Sequence, residues 1–194
     1  MLLLRLVFVL PLHRFLPIKP LCKFKQSVSA LVLLGSGGHT AEMISLLPII
    51  STLFETVHFV VSKGDEMSKP KLHCIPEFST SPVSYITRSR KVHQSFLTAI
   101  PSSILSLFDS FVLVFKFRPN LLIVNGPGSC VPLVFATFAL KFLGHRTRIV
   151  YIESVCRVYS LSLSAKCVFP FVDDLIVQWK DLERAGTVCL GRLV

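Results

Sequence analysis

Residues 31–43 read LVLLGSGGHTAEM, and this stretch decides the fold class. Four apolar residues, typical of a buried strand, lead into a glycine-rich turn, and a helical pattern follows the turn. Glycine lets the backbone approach a ligand closely, and the amides that open the next helix carry the positive end of its dipole. The stretch therefore predicts a strand-turn-helix unit that binds an anion.

The turn departs from two common nucleotide-binding motifs. It lacks the lysine of a Walker loop, and Thr40 stands where a dinucleotide fingerprint has its third glycine. We therefore predict a diphosphate site with His39 in its rim. His39 has two interpretations, as a hydrogen-bond donor or general base beside the phosphates, or as a structural residue of the turn. For Glu42 we expect a favourable electrostatic interaction with the helix N-terminus rather than a catalytic role.

Further strand-like runs predict a doubly wound parallel sheet. Short runs rich in β-branched and apolar residues lie at 30–34, 56–61, 121–124, 148–152 and 174–178. The connections between them are long enough for crossover helices. A Rossmann-like α/β fold is therefore expected.

Two helices and one irregular segment are expected between these strands. Helical patterns cover 40–50 and 131–143. Ser129 precedes the second helix as the expected N-cap, and Pro132 lies in its first turn. Residues 62–82 contain prolines among Lys, Ser and Gly, which predicts a mobile loop.

Residues 95–117 contain five phenylalanines but are interrupted by Pro101 and Asp109. The carboxylate disfavours a membrane-spanning helix. Two interpretations remain open. The segment is either a long amphipathic helix that packs on the sheet with some residues dipping into lipid, or a wholly internal crossover helix.

The composition indicates contact with a membrane. Of the 194 residues, 52% are hydrophobic and only 16% are charged, which is more apolar than a soluble enzyme usually is. The net charge of +10 comes without an aromatic-rich basic motif or zinc-finger spacing, so nucleic-acid binding is not expected. An anionic bilayer or a phosphorylated substrate accounts for the same charge. The six cysteines form no CxxC pair, so we expect reduced thiols, no metal site and no cofactor.

Residues 1–25 predict a membrane anchor with a basic flank. The apolar run 1–12 carries Arg5 and is shorter than the ~20 residues of a spanning helix. A short signal anchor and an interfacial helix both fit this run, whereas a cleaved signal peptide is disfavoured because no small-x-small cleavage site follows. A disordered leader is disfavoured by the apolar content. Basic residues precede the first acidic residue, Glu42, which places the main domain on the cytosolic side.

Several blocks follow the glycine-rich turn in a fixed order. They are LGSGGHTAEM at 34–43, RSRKVHQ at 88–94, VNGPGSCVP at 124–132, YIESVCRV at 151–158 with LSLS at 161–164 and VQW at 177–179, and LGRLV at 190–194. This series resembles the family of membrane-anchor subunits of the UDP-N-acetylglucosamine transferase that adds the second sugar to dolichol-linked oligosaccharide. The resemblance covers nearly the whole chain after Ser29.

The resemblance implies one half of a GT-B glycosyltransferase, in which two Rossmann-like lobes enclose the active site. Residues 28–189 are expected to be the lobe that binds the lipid acceptor. Only fifteen residues follow Trp179, so a cytosolic catalytic subunit at the endoplasmic reticulum is expected to supply the donor-binding lobe, and the chain is not expected to be active alone. The expected partner-docking tail, 190–194, consists of Leu190, Gly191, Arg192, Leu193 and Val194.

The resemblance also assigns the acceptor, N-acetylglucosaminyl-diphosphodolichol, to the two glycine-rich loops. The residues expected at its diphosphate are Gly35, Ser36, Gly37, Gly38, Thr40, Gly126, Gly128, Ser129 and Arg157. His39 and Glu153 are the candidate catalytic residues, and Glu153 follows a strand and is expected to face the acceptor sugar. Arg157 is expected to pair either with the diphosphate or with Glu153.

Some interpretations stay open at this point. Residues 125–129 either bind ligand or form an ordinary tight turn. The basic cluster of Arg88, Arg90 and Lys91 is either a solvated face or a contact for lipid headgroups or diphosphate. Two other functions are also compatible with the residues: a self-sufficient lipid-phosphate sugar transferase, and a membrane scaffold without a catalytic role.

Overall fold

The computed structural model describes residues 9–11, 29–54, 56–90, 94–95 and 97–193. The strands are β1 Ser29–Leu34, β2 Thr56–Ser62, β3 Val83–Ile86, β4 Leu121–Asn125, β5 Arg148–Ile152, β6 Asp174–Val177 and β7 Val188–Cys189. The helices are α1 Gly38–Leu53, α2 Ser68–His73, α3 Ile100–Phe117, α4 Cys130–Phe142 and α5 Leu163–Val168, with 3₁₀ turns at Pro76–Phe78 and Lys180–Leu182. The predicted anchor, apart from residues 9–11, lies outside the described residues.

The strands form one parallel sheet in the order β3-β2-β1-β4-β5-β6-β7. The expected Rossmann-like α/β fold is thus confirmed, and each predicted strand agrees with the observed one to within one residue at either end. The sequence pattern missed β3 and β7, the two edges of the sheet. Each edge strand has a single neighbour, paired as Phe59 with Val83 and Ile176 with Val188. Short edge strands need no continuous apolar run, so they lack the signal of buried strands.

Two hydrophobic clusters cover opposite faces of the sheet. On one face, Met43 and Leu47 of α1 pack with Val32 of β1. On the other face, Leu133 of α4 packs with Leu33 of β1. Because side chains alternate along a strand, the apolar run of β1 supplies both layers and holds the following glycine-rich turn between them.

The prediction of a mobile loop at 62–82 is wrong for much of that segment. Helix α2 and a 3₁₀ turn form there, and they bury Leu72 and Phe78. The ring of Phe78 contacts Phe59 edge-on, with 5.3 Å between ring centroids. Proline is compatible with the first turn of a helix, and Pro76 begins the 3₁₀ turn rather than breaking the structure.

Helix α3 is long and amphipathic, as predicted, but begins at Ile100 rather than at residue 95. Its inner face is unusually polar, since Ser102 and Ser103 donate hydrogen bonds to the carbonyl of Ser89, and the Ser89 hydroxyl donates to Ser106. Its outer face is apolar and exposed, with Phe108 67% exposed. The interpretation as a wholly internal helix is therefore wrong.

Candidate functional site

The two glycine-rich loops lie side by side at the carboxyl ends of β1 and β4. These strands are neighbours, but the chain continues from β1 toward one edge of the sheet and from β4 toward the other. Open α/β sheets bind ligands where the strand order reverses in this way. Residues 35–37 and 126–129 therefore meet at the position where such a fold places a ligand.

His39 lies between the two loops and depends on a glycine from each. A Cβ atom added to Gly126 would lie 2.2 Å from Cε1 of the His39 ring, and one added to Gly35 would lie 2.6 Å from the His39 Cβ. Real Cβ atoms do not approach other atoms so closely. These two glycines are thus required for the imidazole to occupy its observed place.

Buried hydrogen bonds fix the backbone around His39. The Asn125 side-chain amide donates to the His39 carbonyl oxygen at 2.8 Å. The Thr40 and Ser68 hydroxyls are 2.6 Å apart, and Ser68 also donates to the Gly35 carbonyl oxygen at 3.1 Å. Thr40 is 1% exposed, so its hydroxyl braces the loop from within rather than lining the site.

The start of α1 forms one side of the site. Gly37 has a φ of 64°, which favours glycine, and the first amides of a helix have no acceptor within the helix. The space beside Gly37, Gly38 and Gly128 is open for 4 Å around a hypothetical Cβ. Ser36 stands at the same rim, where its hydroxyl accepts a hydrogen bond from the Arg88 guanidinium at 2.9 Å.

Helix α4 begins at the second loop. Ser129 precedes its first residue, as predicted, but the Ser129 side chain makes no capping hydrogen bond. Its hydroxyl instead accepts from Ser62 at 2.9 Å, which ties the loop to the end of β2.

Burial raises the pKa of the Cys130 thiol. This cysteine is therefore protonated at neutral pH and unsuited to act as a nucleophile.

A cleft of about 900 Å³ opens from the loops toward the long helix α3. His39 and Gly128 form its polar end at the two loops, and Arg90 and Arg157 also line it. Its apolar wall consists of Ala99, Ile100, Ile104, Leu107, Val131, Pro132, Phe135 and Leu163, and Ser89, Ser103, Ser164 and Cys167 complete the lining. None of the described residues that line the cleft is acidic, so the site favours a ligand with an anionic head and an apolar body.

Glu153 is fully buried, and its carboxylate is not part of the cleft lining. Its two carboxylate oxygens accept hydrogen bonds from the backbone amides of Ser154 and Ser162, at 3.1 and 2.8 Å. These contacts hold the loop between β5 and α5, and that loop presents the exposed Arg157 to the cleft. The catalytic role of Glu153 stays a prediction.

Asp109 fastens α3 to the sheet. Its carboxylate accepts from the Thr87 amide and hydroxyl, at 2.8 and 2.7 Å, and from the Lys63 ammonium at 3.0 Å. Burial acts to raise the pKa of Asp109, but these hydrogen bonds outweigh it and hold the pKa below its ordinary value. The helix has the length and composition of a membrane span, with 17% of its residues buried, yet its polar contacts hold it against the sheet.

The tail is described as far as Leu193. The Leu193 amide donates to the Gln178 side-chain oxygen at 3.0 Å, and its side chain packs beside the cluster under α1. Leu190, Gly191 and Arg192 are exposed. Val194 lies outside the described residues.

The sequence reasoning missed several contacts that build the site. Ser68 gave no signal, because the partners of a buried hydroxyl depend on tertiary structure. Asn125 was included in the candidate loop 125–129, but the bond of its amide to the His39 carbonyl was not expected. Arg90 was expected either on a solvated face or at lipid headgroups or diphosphate, and it lines the cleft, whereas Lys91 of the same cluster lies outside the described residues. The part of the apolar wall that α3 supplies could be predicted from the spacing of Ile100, Ile104 and Leu107. Residues three and four positions apart share one face of a helix.

Comparisons with known proteins agree with this architecture. The family model "Oligosaccharide biosynthesis protein Alg14 like" matches residues 30–190. The UDP-N-acetylglucosamine transferase subunit ALG14 of Rattus norvegicus is 39% identical over 207 residues, covering 100% of this chain and 93% of the rat protein. The subunit of the same name from Candida albicans is 39% identical, covering 93% and 84%. That from Schizosaccharomyces pombe is 42% identical, covering 78% and 76%.

Solved structures share the fold at low sequence identity. MurG from Acinetobacter baumannii superposes with a TM-score of 0.64 at 11% identity, covering 84% of this chain and 44% of MurG. A UDP-GlcNAc 2-epimerase from Methanocaldococcus jannaschii gives 0.57 at 15% identity, covering 84% and 45%. The chain thus spans less than half of each of these two proteins and corresponds to one GT-B-like lobe.

Proposed function

Because the chain belongs to the Alg14-like family of oligosaccharide biosynthesis proteins, we propose that it is the acceptor-binding and membrane-anchoring subunit of the N-acetylglucosaminyldiphosphodolichol N-acetylglucosaminyltransferase. Its relatives from rat and yeasts are named UDP-N-acetylglucosamine transferase subunits. The proposed reaction is the second step of lipid-linked oligosaccharide synthesis for protein N-glycosylation. The observation that carries the proposal is a cleft beside the two glycine-rich loops whose lining combines two arginines with an apolar wall.

The polar end of the cleft suits the acceptor diphosphate. The open space at Gly37, Gly38 and Gly128 lets phosphate oxygens approach the backbone amides of the two loops. Arg90 and Arg157 also line the cleft and supply positive charge. Arginine pairs with phosphate oxygens through two parallel hydrogen bonds, so these side chains would fix the orientation of the diphosphate as well as hold it.

The apolar wall suits the first part of the dolichol chain. Ile104 lines the cleft and is also 62% exposed, so the wall runs without interruption onto the outer face of α3. That face carries Leu105, Phe108 and Val112, each more than half exposed. We propose that this face lies in the headgroup region of the endoplasmic reticulum membrane and lets the lipid enter the cleft sideways. The predicted anchor at 1–25 adds to this attachment and leaves the lobe on the cytosolic side.

His39 is the candidate base for transfer. It lines the cleft beside the proposed diphosphate position, and 33% of its side chain is exposed there. An imidazole in this place is suited to accept the proton of the acceptor hydroxyl as that oxygen attacks the donor sugar. The contacts of Glu153 favour a role in holding the loop that carries Arg157, and contact of its carboxylate with the acceptor sugar stays a prediction.

The donor-binding half is proposed to come from a cytosolic catalytic subunit. The name "subunit" carried by the relatives supports a partner. The exposed side chain of Leu190, 53% accessible near the last strand, is suited to pack against that partner. We propose residues 190–194 as the docking tail, so that this chain recruits the partner to the membrane and is inactive without it.

The test is sugar transfer from UDP-N-acetylglucosamine to a diphospholipid-linked N-acetylglucosamine acceptor. The chain is assayed alone, with the catalytic partner, and with the partner after removal of residues 190–194. We expect transfer only with the intact chain and partner. Co-purification of the partner measures docking separately, and Arg157→Ala is expected to raise the acceptor KM about tenfold without reducing partner binding.

The other outcomes correspond to the alternative functions. Transfer by the chain alone would identify a self-sufficient enzyme. Unchanged transfer by complexes carrying Arg157→Ala or His39→Gln, with loss only on removal of the tail, would identify a scaffold without a role in the acceptor site.

A further inference from the structure

The His39 ring has one buried nitrogen without a hydrogen-bond partner. This atom is Nδ1, and the nearest ionisable group to it is the Glu42 carboxylate, with Oε2 at 3.7 Å. One third of the side chain is exposed in the cleft while Nδ1 is buried, so the ring turns its Nε2 side toward the opening. The two residues are three apart on α1, which places both side chains on one face of the helix.

Glu42 is itself held in place from another part of the fold. Its Oε1 atom accepts a hydrogen bond of 2.6 Å from the Ser154 hydroxyl, and its side chain is 14% exposed. Ser154 is buried in the loop after β5, 112 residues away along the chain. A carboxylate that served only the helix dipole would need no such partner, so this contact indicates that its position matters.

We propose that Glu42 is the positioning residue for His39 in sugar transfer, accepting a hydrogen bond from Nδ1–H and thereby leaving Nε2 free to act as the base. This inference rests on the proposed function and deepens it. The present separation of 3.7 Å is longer than a hydrogen bond, and catalytic hydrogen bonds are commonly long before substrate binds.

The acceptor hydroxyl oxygen forms a bond to the anomeric carbon of the donor sugar, and its proton moves to Nε2 of His39. The bond from that carbon to the nucleoside diphosphate breaks, and its electron pair leaves with the diphosphate. The ring then carries a positive charge beside the Glu42 carboxylate, while Arg90 and Arg157 also line the cleft. The carboxylate therefore stabilises the charged ring as well as its orientation.

The test compares Glu42→Gln with Glu77→Gln in the complex with the catalytic partner. Glu77 is exposed and does not line the cleft, so it serves as the matched control. We expect Glu42→Gln to lower kcat about 10- to 100-fold and to change the acceptor KM less than about twofold. Combined with His39→Gln it should cost little more than His39→Gln alone, because the two residues act as a unit.

A second measurement distinguishes a role of Glu42 in orienting the His39 ring from a purely structural role in holding the Ser154 loop. Nitrogen-15 NMR of the histidine side chains in the full chain reports which ring nitrogen of His39 carries the proton, and His39→Gln assigns the signal. We expect Nδ1–H in the unchanged chain and in Glu77→Gln, and loss of that preference in Glu42→Gln. Ser154→Ala, which removes the bond to Glu42 and the bond that the Ser154 oxygen accepts from the Cys156 amide at 3.2 Å, is expected to lower kcat less than Glu42→Gln does.

Two results would overturn the inference. The first is an unchanged kcat in Glu42→Gln while the unchanged complex is active. The second is the same His39 tautomer with and without the carboxylate. An inactive unchanged complex would instead refute the proposed function, and the tautomer measurement would still decide whether Glu42 orients His39.

Discussion

Replacing Gly126 by alanine tests the arrangement of the two loops around His39. The added Cβ would lie 2.2 Å from Cε1 of the ring, where ordinary contact begins at 3.4 Å, so the ring must move by roughly 1 Å. The ring is the far end of a flexible side chain and is able to turn away. We therefore expect a small loss of stability, about 1 kcal/mol, but a large loss of transfer. A misplacement of about 1 Å at a reacting group costs roughly a hundredfold in rate.

The assay is transfer by the complex with the catalytic partner, together with thermal unfolding of the full chain. Gly128→Ala is the matched comparison, because its Cβ would meet nothing within 4 Å and its thermal unfolding should be unchanged. In a His39→Ala background, Gly126→Ala should cause no further loss, since the clashing ring is gone. Full activity of Gly126→Ala in the unchanged background would refute the inferred packing of the ring against the second loop.

Three further changes test other parts of the structure. Phe108→Asp on α3 should raise the KM for an acceptor embedded in liposomes about tenfold, because burying a phenylalanine in lipid contributes about 1.5–3 kcal/mol, but should leave the KM for a water-soluble short-chain acceptor unchanged. The control is Ile49→Asp, at a 60% exposed position of α1 on the opposite face of the sheet. Equal effects of the two changes would contradict membrane contact by α3. Ser68→Ala should lower the free energy of unfolding by about 1–3 kcal/mol in urea titrations, because the buried Thr40 hydroxyl and Gly35 carbonyl lose their partner; an unchanged value would argue against that brace. Asp109→Asn should cost about 1–2 kcal/mol at pH 7. The pKa of Asp109 in the folded protein lies below the ordinary 3.8, so the stabilisation by its carboxylate is present above pH 3.8 and is lost as the pH falls through the folded-state pKa. The unfolding free energies of the two proteins should therefore converge in acid. A difference that does not depend on pH would contradict the ion-pair assignment.

The sequence predicted the central strands and the turn after β1 because local sequence patterns specify them. A run such as 31–34, buried on both faces, is continuous and apolar, and the glycine-rich turn after it follows directly in the chain. The edge strand β3 carries no such pattern, since VSYI pairs on one side only. The prolines of 62–82 were misjudged because their effect depends on the position at which each one enters a helical turn.

The site was predictable where the chemistry of a residue type is tied to the backbone. The glycine-rich loops and His39 were identified in this way, and the strand order explains why they meet. Contacts between distant residues left no trace in the sequence. The bonds of Ser154 to Glu42, of Ser62 to Ser129 and of Ser68 to Gly35 join segments that only the folded sheet brings together.

Glu153 shows the limit of reasoning from strand ends. Its position after β5 is where open sheets place ligand-binding side chains. In the structure its carboxylate turns inward to accept two backbone amides, and Arg157, further along the same loop, lines the cleft instead. The strand end identified the correct loop, but the direction of each side chain depends on the turn that follows.

Photocrosslinking tests the central claim, that the cleft binds a lipid-linked diphosphate acceptor, most directly. The probe is a diphospholipid-linked N-acetylglucosamine with a diazirine in the first isoprene unit, bound to the full chain in complex with its partner and analysed by mass spectrometry. We expect labels on the cleft wall, at Ile104, Leu107 or Phe135, and their loss when unlabelled acceptor competes or Arg157 is replaced by alanine. Labels confined to the outer face of α3 that resist competition would show lipid contact without an acceptor site and would contradict the claim.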